Sequence, residues 1–253
     1  MSALNISGMN LLPSPHLKEW QKLFNCFIGF SDVHFLTGHT HIQYNVNYSN
    51  LGYPNIYEHD AGAVSGIWFW PQYASGAGIC NDGAPCGYEV LEADGTDVWR
   101  YYKSHGYPAT KQFRTYDRNE IHITAARHLP STVSNAAKSA FEATVGDFFY
   151  ENKENQVFVN VWNFGPGWSI RVTENGRELP VTRVQQRDPL KLLVYNAGMI
   201  IKEGSIPNQS AANGQTHHMF LVKASGPKTT LRITVTDDKG KVYTEDMVRP
   251  TAF

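Results

Sequence analysis

Two histidines stand two residues apart directly after an apolar, strand-like run. The run covers residues 33–37, and His39 and His41 follow Gly38 in the segment 38–41, here called the histidine loop. Residues two apart share one face of an extended chain, and a glycine allows a sharp exit from a strand. Neutral imidazole binds Zn, Fe or Mn, and two-metal catalytic sites hold their ions about 3.5–4 Å apart. The spacing therefore indicates a metal site, with two polar loop residues as the alternative.

Two polar residues could join these histidines in a substrate pocket. His59 lies on a predicted strand after the histidine loop, where it could line the pocket or orient His39 or His41. Asp82 lies in the long loop 73–87 and could contact a substrate. Structural explanations stand beside both, because His59 could be a half-buried strand histidine and Asp82 could form the turn before Gly83.

Tryptophans offer a further set of candidates. Trp68 and Trp70 share one face of a predicted strand and could form an aromatic wall of the pocket, although core packing also explains them. Trp162 and Trp168 could form a carbohydrate platform in the second half of the chain, or pack in its core. We predict packing for all four and keep the binding roles as hypotheses.

Several segments together resemble one enzyme family. Gly-His-Thr-His at 38–41 is similar to the last signature of the calcineurin-like metallophosphoesterases. The segments 55–64, 66–70, 81–88 and 242–250 resemble the subgroup, of the Bacteroides type, that carries a dedicated C-terminal domain. The resemblance implies hydrolysis of a phosphoester by two divalent metals (Fe, Zn or Mn). It also implies that His39 and His41 serve different metals and that relatives are exported.

The chain departs from the family before the histidine loop. Family members normally carry an Asp-x-His motif and further acidic and histidine motifs far upstream, and these supply most of the metal ligands. Asp32 and His34 form a formal Asp-x-His, but they lie so close to the histidine loop that we interpret them as a helix-to-strand connection. We expect a truncated phosphoesterase homologue, inactive as this chain alone and with no metal or partial occupancy. The alternative is a non-enzymatic β-sandwich module that binds glycan or an envelope component, and a purely structural β domain is a third hypothesis.

The patterning predicts an α+β, β-dominated fold in three parts. These are a flexible start (1–14), the C-terminal remnant of an α/β catalytic sandwich (15–118) and a fibronectin- or immunoglobulin-like β-sandwich (119–253). A helix should open near Pro15 and reach about Cys26, with that cysteine buried on it. Short strands separated by Asp-Gly, Asn-Gly and Lys-Gly turns predict the β-rich remainder.

Composition narrows the remaining possibilities. The net charge of −1 gives no electrostatic case for nucleic-acid binding, and no apolar run has the length of a membrane span. Residues 1–12 show no signal peptide, and the location stays open because a shortened chain would lose one.

Cys80 and Cys86 could close a small loop if oxidised, or stay reduced. His217 and His218 are predicted to lie in a solvated strand entry. A sandwich reduced to one part would expose apolar sheet, so we expect either a homo-oligomer that covers it or a rearranged N-terminal segment.

Overall fold

A computed structural model describes residues 19–67, 78–207 and 212–253, together with the backbone of 4–7 and 10–13. Strands hold 37% of the residues and helices 22%, which confirms the predicted β-dominated α+β class. The fibronectin- or immunoglobulin-like kind of sandwich stays a prediction. None of the helices in the described ranges combines the length and apolar character that crossing a membrane requires.

The first part of the chain forms a small mixed sheet under one short helix. Within the segment predicted as a flexible start, β1 (Leu4–Ser7) and β2 (Asn10–Pro13) pair antiparallel. Helix α1 (Trp20–Asn25) is followed by β3 (Val33–Thr37), β4 (Tyr44–Tyr48) and β5 (Tyr53–Asp60). The sheet order is β3-β5-β4, with β3 parallel and β4 antiparallel to β5.

One face of this sheet carries the apolar residues and the other carries polar rings. Trp20 and Phe24 of α1 pack against Tyr48 and Ile56, as the helical spacing predicts. Since side chains alternate along a strand, the neighbours of Ile56 and of Val33 face the other way. That second face is where His34 lies.

A long hairpin follows. Strands β6 (Gly87–Asp94) and β7 (Asp97–Ser104) pair along their whole length. Gly95 in the connecting turn has φ of 60°, a left-handed conformation that glycine adopts without a steric penalty. This hairpin was predicted from the Asp94-Gly95 turn and is present.

The C-terminal part contains two four-stranded antiparallel sheets. One has the order β12-β13-β9-β8 and the other β11-β10-β14-β15. Their strands are β8 (Phe113–Asp117), β9 (Gln156–Val161), β10 (Ser169–Glu174), β11 (Arg177–Leu179), β12 (Val181–Gln186), β13 (Thr216–Lys223), β14 (Leu231–Thr236) and β15 (Val242–Met247). Strand β8 precedes the predicted boundary at residue 118 and pairs with β9 beyond it.

Alternation along β9 divides its side chains between two cores. Val157, Val159 and Val161 enter a cluster shared by both sheets, together with Val172 of β10. Phe158 faces the opposite way, toward a second cluster built by the helices. These helices are α2 (Ala125–His128), α3 (Asn135–Val145) and a continuous run of α4 (Pro189–Lys191), a π-helix (Leu192–Ala197) and α5 (Gly198–Glu203).

A buried ion pair fastens the end of the chain to β8. Arg249 donates to both carboxylate oxygens of Asp117, at 3.1 and 3.0 Å, and neither side chain is exposed to solvent. The Asp117 carboxylate also accepts from the backbone N–H of Asn119. The last residues are therefore an integral part of the sheet structure.

Two expectations about cysteine and histidine were wrong. Cys26 is exposed just after α1, because the buried face of that short helix is filled by Trp20 and Phe24. His218 is 2% exposed rather than solvated, because it lies inside β13. Cys80 and Cys86 are both buried free thiols in this structure.

Candidate functional site

The histidine loop leaves β3 through two residues in the left-handed conformation. His39 has φ of 84° and His41 has φ of 56°. Such values are uncommon outside glycine and cost energy, and they concentrate at functional sites. His39 is exposed and His41 is half-buried.

Two hydrogen bonds hold His41 between neighbouring loops. Its ring Nδ1 bonds to the backbone carbonyl of Gly66, and its own carbonyl accepts from the N–H of Asn81 at 3.0 Å. A carbonyl can only accept, so Nδ1 carries a proton and donates it to Gly66. A partner that fixes the tautomer in this way is typical of metal-binding histidines.

The carboxylates of β5 bind hydroxyl groups beside the histidine loop. Thr40 donates to Asp60 at 2.7 Å, and Thr37 donates to Glu58 at 2.8 Å. Burial raises the pKa of Asp60 to about 7, although the hydrogen bond from Thr40 opposes that shift. These contacts fix the ends of the loop.

The residues that the structure describes do not make up a two-metal centre. Across the described ranges there is no group of three or more His, Cys, Asp or Glu side chains placed to hold a metal ion. His39 and His41 could offer two imidazoles, and a dinuclear site needs bridging and terminal carboxylates besides.

His59 contacts a histidine that lies outside the histidine loop. On β5, its Nε2 lies 2.8 Å from Nδ1 of His34, and its Nδ1 lies 2.8 Å from Oδ1 of Asn45. Burial lowers the pKa of His59 to about 3, helped by the positive charge of Arg100 and by the neighbouring His34 ring. His59 is therefore a neutral ring in a buried polar chain.

The positions of the protons on these hydrogen-bonded side chains can be assigned from one backbone group, the carbonyl of Asn163. Asn45 donates through Nδ2 to the carbonyl oxygen of Asn163 at 3.1 Å, which fixes Oδ1 as the atom facing His59. His59 then donates from Nδ1, and its Nε2 accepts from Nδ1 of His34. The neutral His34 ring is left with its lone pair on Nε2.

Asp82 is a buried structural centre. It is 2% exposed, and Oδ1 accepts from the N–H of Ala84 at 2.9 Å in the predicted turn. Its Oδ2 accepts from the N–H of Gln43 at 2.5 Å and from Nε2 of His218 at 3.1 Å. The side chain thus joins the segment after the histidine loop to β13.

A comparison with known protein families shows to which family the chain is related. A model of the C-terminal part of calcineurin-like phosphoesterases matches residues 58–243, which is most of the chain. The chain belongs to this family. No curated protein and no solved structure matches it.

The candidate residues lie partly within and partly before the segment that matches the calcineurin-like phosphoesterases. His59, Asp82 and His218 lie within 58–243, whereas His39 and His41 precede it. The confirmed family makes divalent metals plausible in complete relatives and implies phosphoester substrates.

The hypotheses about the tryptophans have different outcomes. Trp68 and Trp70 lie outside the described residues. Trp162 is fully buried beside Cys80 and Tyr102, and Trp168 is 6% exposed within the core between the two sheets. Neither ring offers an open face on which a sugar could stack.

Some site residues carried no sequence signal. Asn45, Arg100 and Asn163 meet in one buried group, in which Arg100 donates to the carbonyl of Asn163 at 3.2 Å. His34 was interpreted as part of a connection, yet its ring pairs with His59. Only the parallel register of β3 and β5, which the sequence does not specify, brings the two rings together.

Proposed function

We propose that this chain is the part of a metal-dependent phosphoester hydrolase that presents His39 and His41 at the end of β3. The observation that supports this best is the conformation of the histidine loop. His39 and His41, two residues apart, both have positive φ values, which puts backbone strain where metal ligands are expected. The bond from Nδ1 of His41 to the Gly66 carbonyl holds that ring in place.

We further propose that hydrolysis needs ligands from outside the described residues. Two imidazoles make an open shell, and metal affinity depends on the number and geometry of the ligands. The carboxylates nearest to the loop, Glu58 and Asp60, are engaged with hydroxyl groups of Thr37 and Thr40. The chain by itself is therefore expected to bind metal weakly and to turn nothing over.

Elemental analysis and a phosphodiesterase assay test this proposal. Untagged protein purified without added metal should contain Fe, Zn and Mn well below one equivalent, and should not hydrolyse bis(p-nitrophenyl) phosphate when Mn²⁺ or Zn²⁺ is supplied. The proposal fails if metal is near-stoichiometric and turnover is lost in His39→Ala. In that case the control His105→Ala, at an exposed histidine just after β7, should retain both the bound metal and the turnover.

A structural role for the C-terminal part is the second candidate. Buried hydrogen bonds join it to the segment around the histidine loop, through Asp82 with His218 and through Asn45 with Asn163. This role is compatible with the first, because a covering domain would hold the loop in place. A glycan platform on Trp162 and Trp168 lacks comparable support, since both rings are buried.

We propose that the exposed apolar residues near β3 pair two copies of the chain. Four large apolar side chains are each 60–71% exposed, namely Ile28, Phe30, Leu36 and Val64. Leu36 lies on β3, which is at the edge of its sheet. Large apolar side chains exposed on or beside an edge strand favour pairing with another chain. Light scattering should show a dimer or larger species that Leu36→Lys shifts toward monomer. The matched change Val242→Lys, on β15, should have no effect, and a monomeric wild-type protein that binds no hydrophobic dye would contradict the proposal.

A further inference from the structure

A polar cavity lies where the first sheet, the β6–β7 hairpin and the C-terminal part meet. Its volume is about 180 Å³, and it is partly open to solvent. The lining residues that matter for its chemistry are Asp32, His34, Tyr57, Arg100, Asp238 and Lys239. The cavity does not include His39 or His41, so it is separate from the histidine loop.

His34 offers this cavity a hydrogen-bond acceptor. Its Nδ1 is used by His59, and the proton order that Asn45 and the carbonyl of Asn163 impose places the His34 lone pair on Nε2. The ring stacks on Tyr57 with centroids 5.1 Å apart and planes 10° apart, which holds its orientation. Burial lowers the pKa of His34, so the ring stays neutral at pH 7.

The charges that line the cavity cancel. Asp32 and Asp238 are opposed by Arg100 and Lys239, and the imidazoles are neutral. Both cations already have partners, since Lys239 pairs with Asp97 and Arg100 donates to the carbonyl of Asn163. The remaining capacity is therefore mainly for accepting hydrogen bonds, through the His34 lone pair and the carboxylates.

This pattern separates three classes of ligand. An oxyanion would face two carboxylates and an imidazole lone pair, which repel it. A divalent cation would face Arg100 and Lys239, and the described residues form no group of three metal-ligating side chains. A neutral ligand with several hydroxyl groups can donate to these acceptors without adding a buried charge.

We propose that the cavity binds a neutral, polyhydroxylated ligand of about the size of one monosaccharide unit, with a hydroxyl group donating to Nε2 of His34. Pockets for drug-sized molecules span about 300–1,000 Å³. The cavity is smaller than this, so its volume suits a ligand of one sugar unit. The Tyr57 ring and Pro166 add apolar lining for the sugar carbons. This binding does not depend on phosphoester hydrolysis and needs no metal.

Saturation-transfer NMR with methyl glycosides of glucose, galactose, mannose and N-acetylglucosamine tests the proposal. At least one should bind the full chain with a Kd on the order of 1 mM. His34→Phe keeps a ring to stack on Tyr57 but removes the acceptor, and should weaken binding at least about tenfold. His105→Phe, at an exposed histidine outside the cavity lining, should bind as the wild type does.

Ring ¹⁵N shifts of the wild-type protein supply a readout that does not depend on variants. Both His34 and His59 should be protonated at Nδ1, and the bound glycoside should shift Nε2 of His34. The proposal is overturned if no glycoside of the panel binds, or if His34→Phe binds as tightly as the wild type. It is equally overturned if inorganic phosphate or Mn²⁺, tested alone, is the only probe that shifts that nitrogen. Glycoside binding by a chain without turnover would leave the proposed hydrolase function to its own test.

Discussion

Replacing Asp82 with alanine is expected to lower the free energy of unfolding by roughly 3–5 kcal/mol. The change removes the acceptor for two backbone N–H groups, those of Gln43 and Ala84, and for the His218 ring. Each buried donor left without a partner costs about 1–3 kcal/mol, so three such donors account for a loss of this size. The loss should appear as a lower midpoint in urea unfolding.

A second aspartate provides the matched control. Asp246 accepts from Arg232 at 3.0 and 2.9 Å, but both side chains are 55% exposed. Exposed ion pairs contribute about 0–1 kcal/mol, so Asp246→Ala should change stability by less than about 1 kcal/mol. Equal losses in the two variants would mean that burial of Asp82 does not set its contribution.

The stability that His59 contributes should fall as the pH falls below 6.5. The folded protein holds the pKa of this ring at about 3, mainly through burial, whereas the unfolded chain has the ordinary value near 6.5. Between these values the unfolded state binds a proton that the folded state does not. The contribution is therefore fully present above pH 6.5 and is lost toward pH 3, at up to about 1.4 kcal/mol per pH unit.

The Asp60 carboxyl changes the stability of the protein in the opposite direction over much of the same pH range. Its pKa is raised to about 7 by burial, so the folded state binds the extra proton and stability from this group is lost as the pH rises from about 3.8 to 7. The two slopes oppose each other in the wild-type protein. The His59 contribution must therefore be measured as a difference between proteins.

Unfolding of wild type and His59→Gln at pH 7 and pH 5 isolates that difference. The stability advantage of the wild type should shrink by about 2 kcal/mol between the two values, because 1.5 of those pH units lie below 6.5. The same shrinkage is expected when both proteins carry Asp60→Asn, because the opposing slope of that carboxyl is then absent from both. A constant advantage at both pH values would show that His59 titrates normally.

The sequence is informative about local structure and about family. Strand β3 was predicted from its apolar residues, and the β6–β7 hairpin from Asp94-Gly95, because these signals act over a few residues. The helix at Asn135–Val145 has a weak sequence signal over most of its length. Its cap was readable, since the Ser134 hydroxyl accepts from the N–H of Ala137, but its apolar spacing is uneven.

The polar networks could not be predicted because their partners are far apart in the chain. His34 and His59 are separated by 25 residues, and Asp82 and His218 by 136. Contacts of this kind depend on strand register and on how separate sheets pack, and neither is encoded in a short pattern. The burial of His218 was missed for a related reason, since two adjacent histidines favour a solvated segment on composition alone.

Strand β8 pairs with β9, and Asp117 at the end of β8 pairs with Arg249. The C-terminal part of the chain can therefore be inherited as a unit only together with β8. A recombination point just after residue 118 would strip the outer strand from one sheet and leave the Arg249 guanidinium buried without its carboxylate. A crossover in the connection before Phe113 would keep both. Exchange of the C-terminal part between relatives is therefore expected to carry β8 with it, so that the evolutionary module begins earlier than the β-rich region suggests.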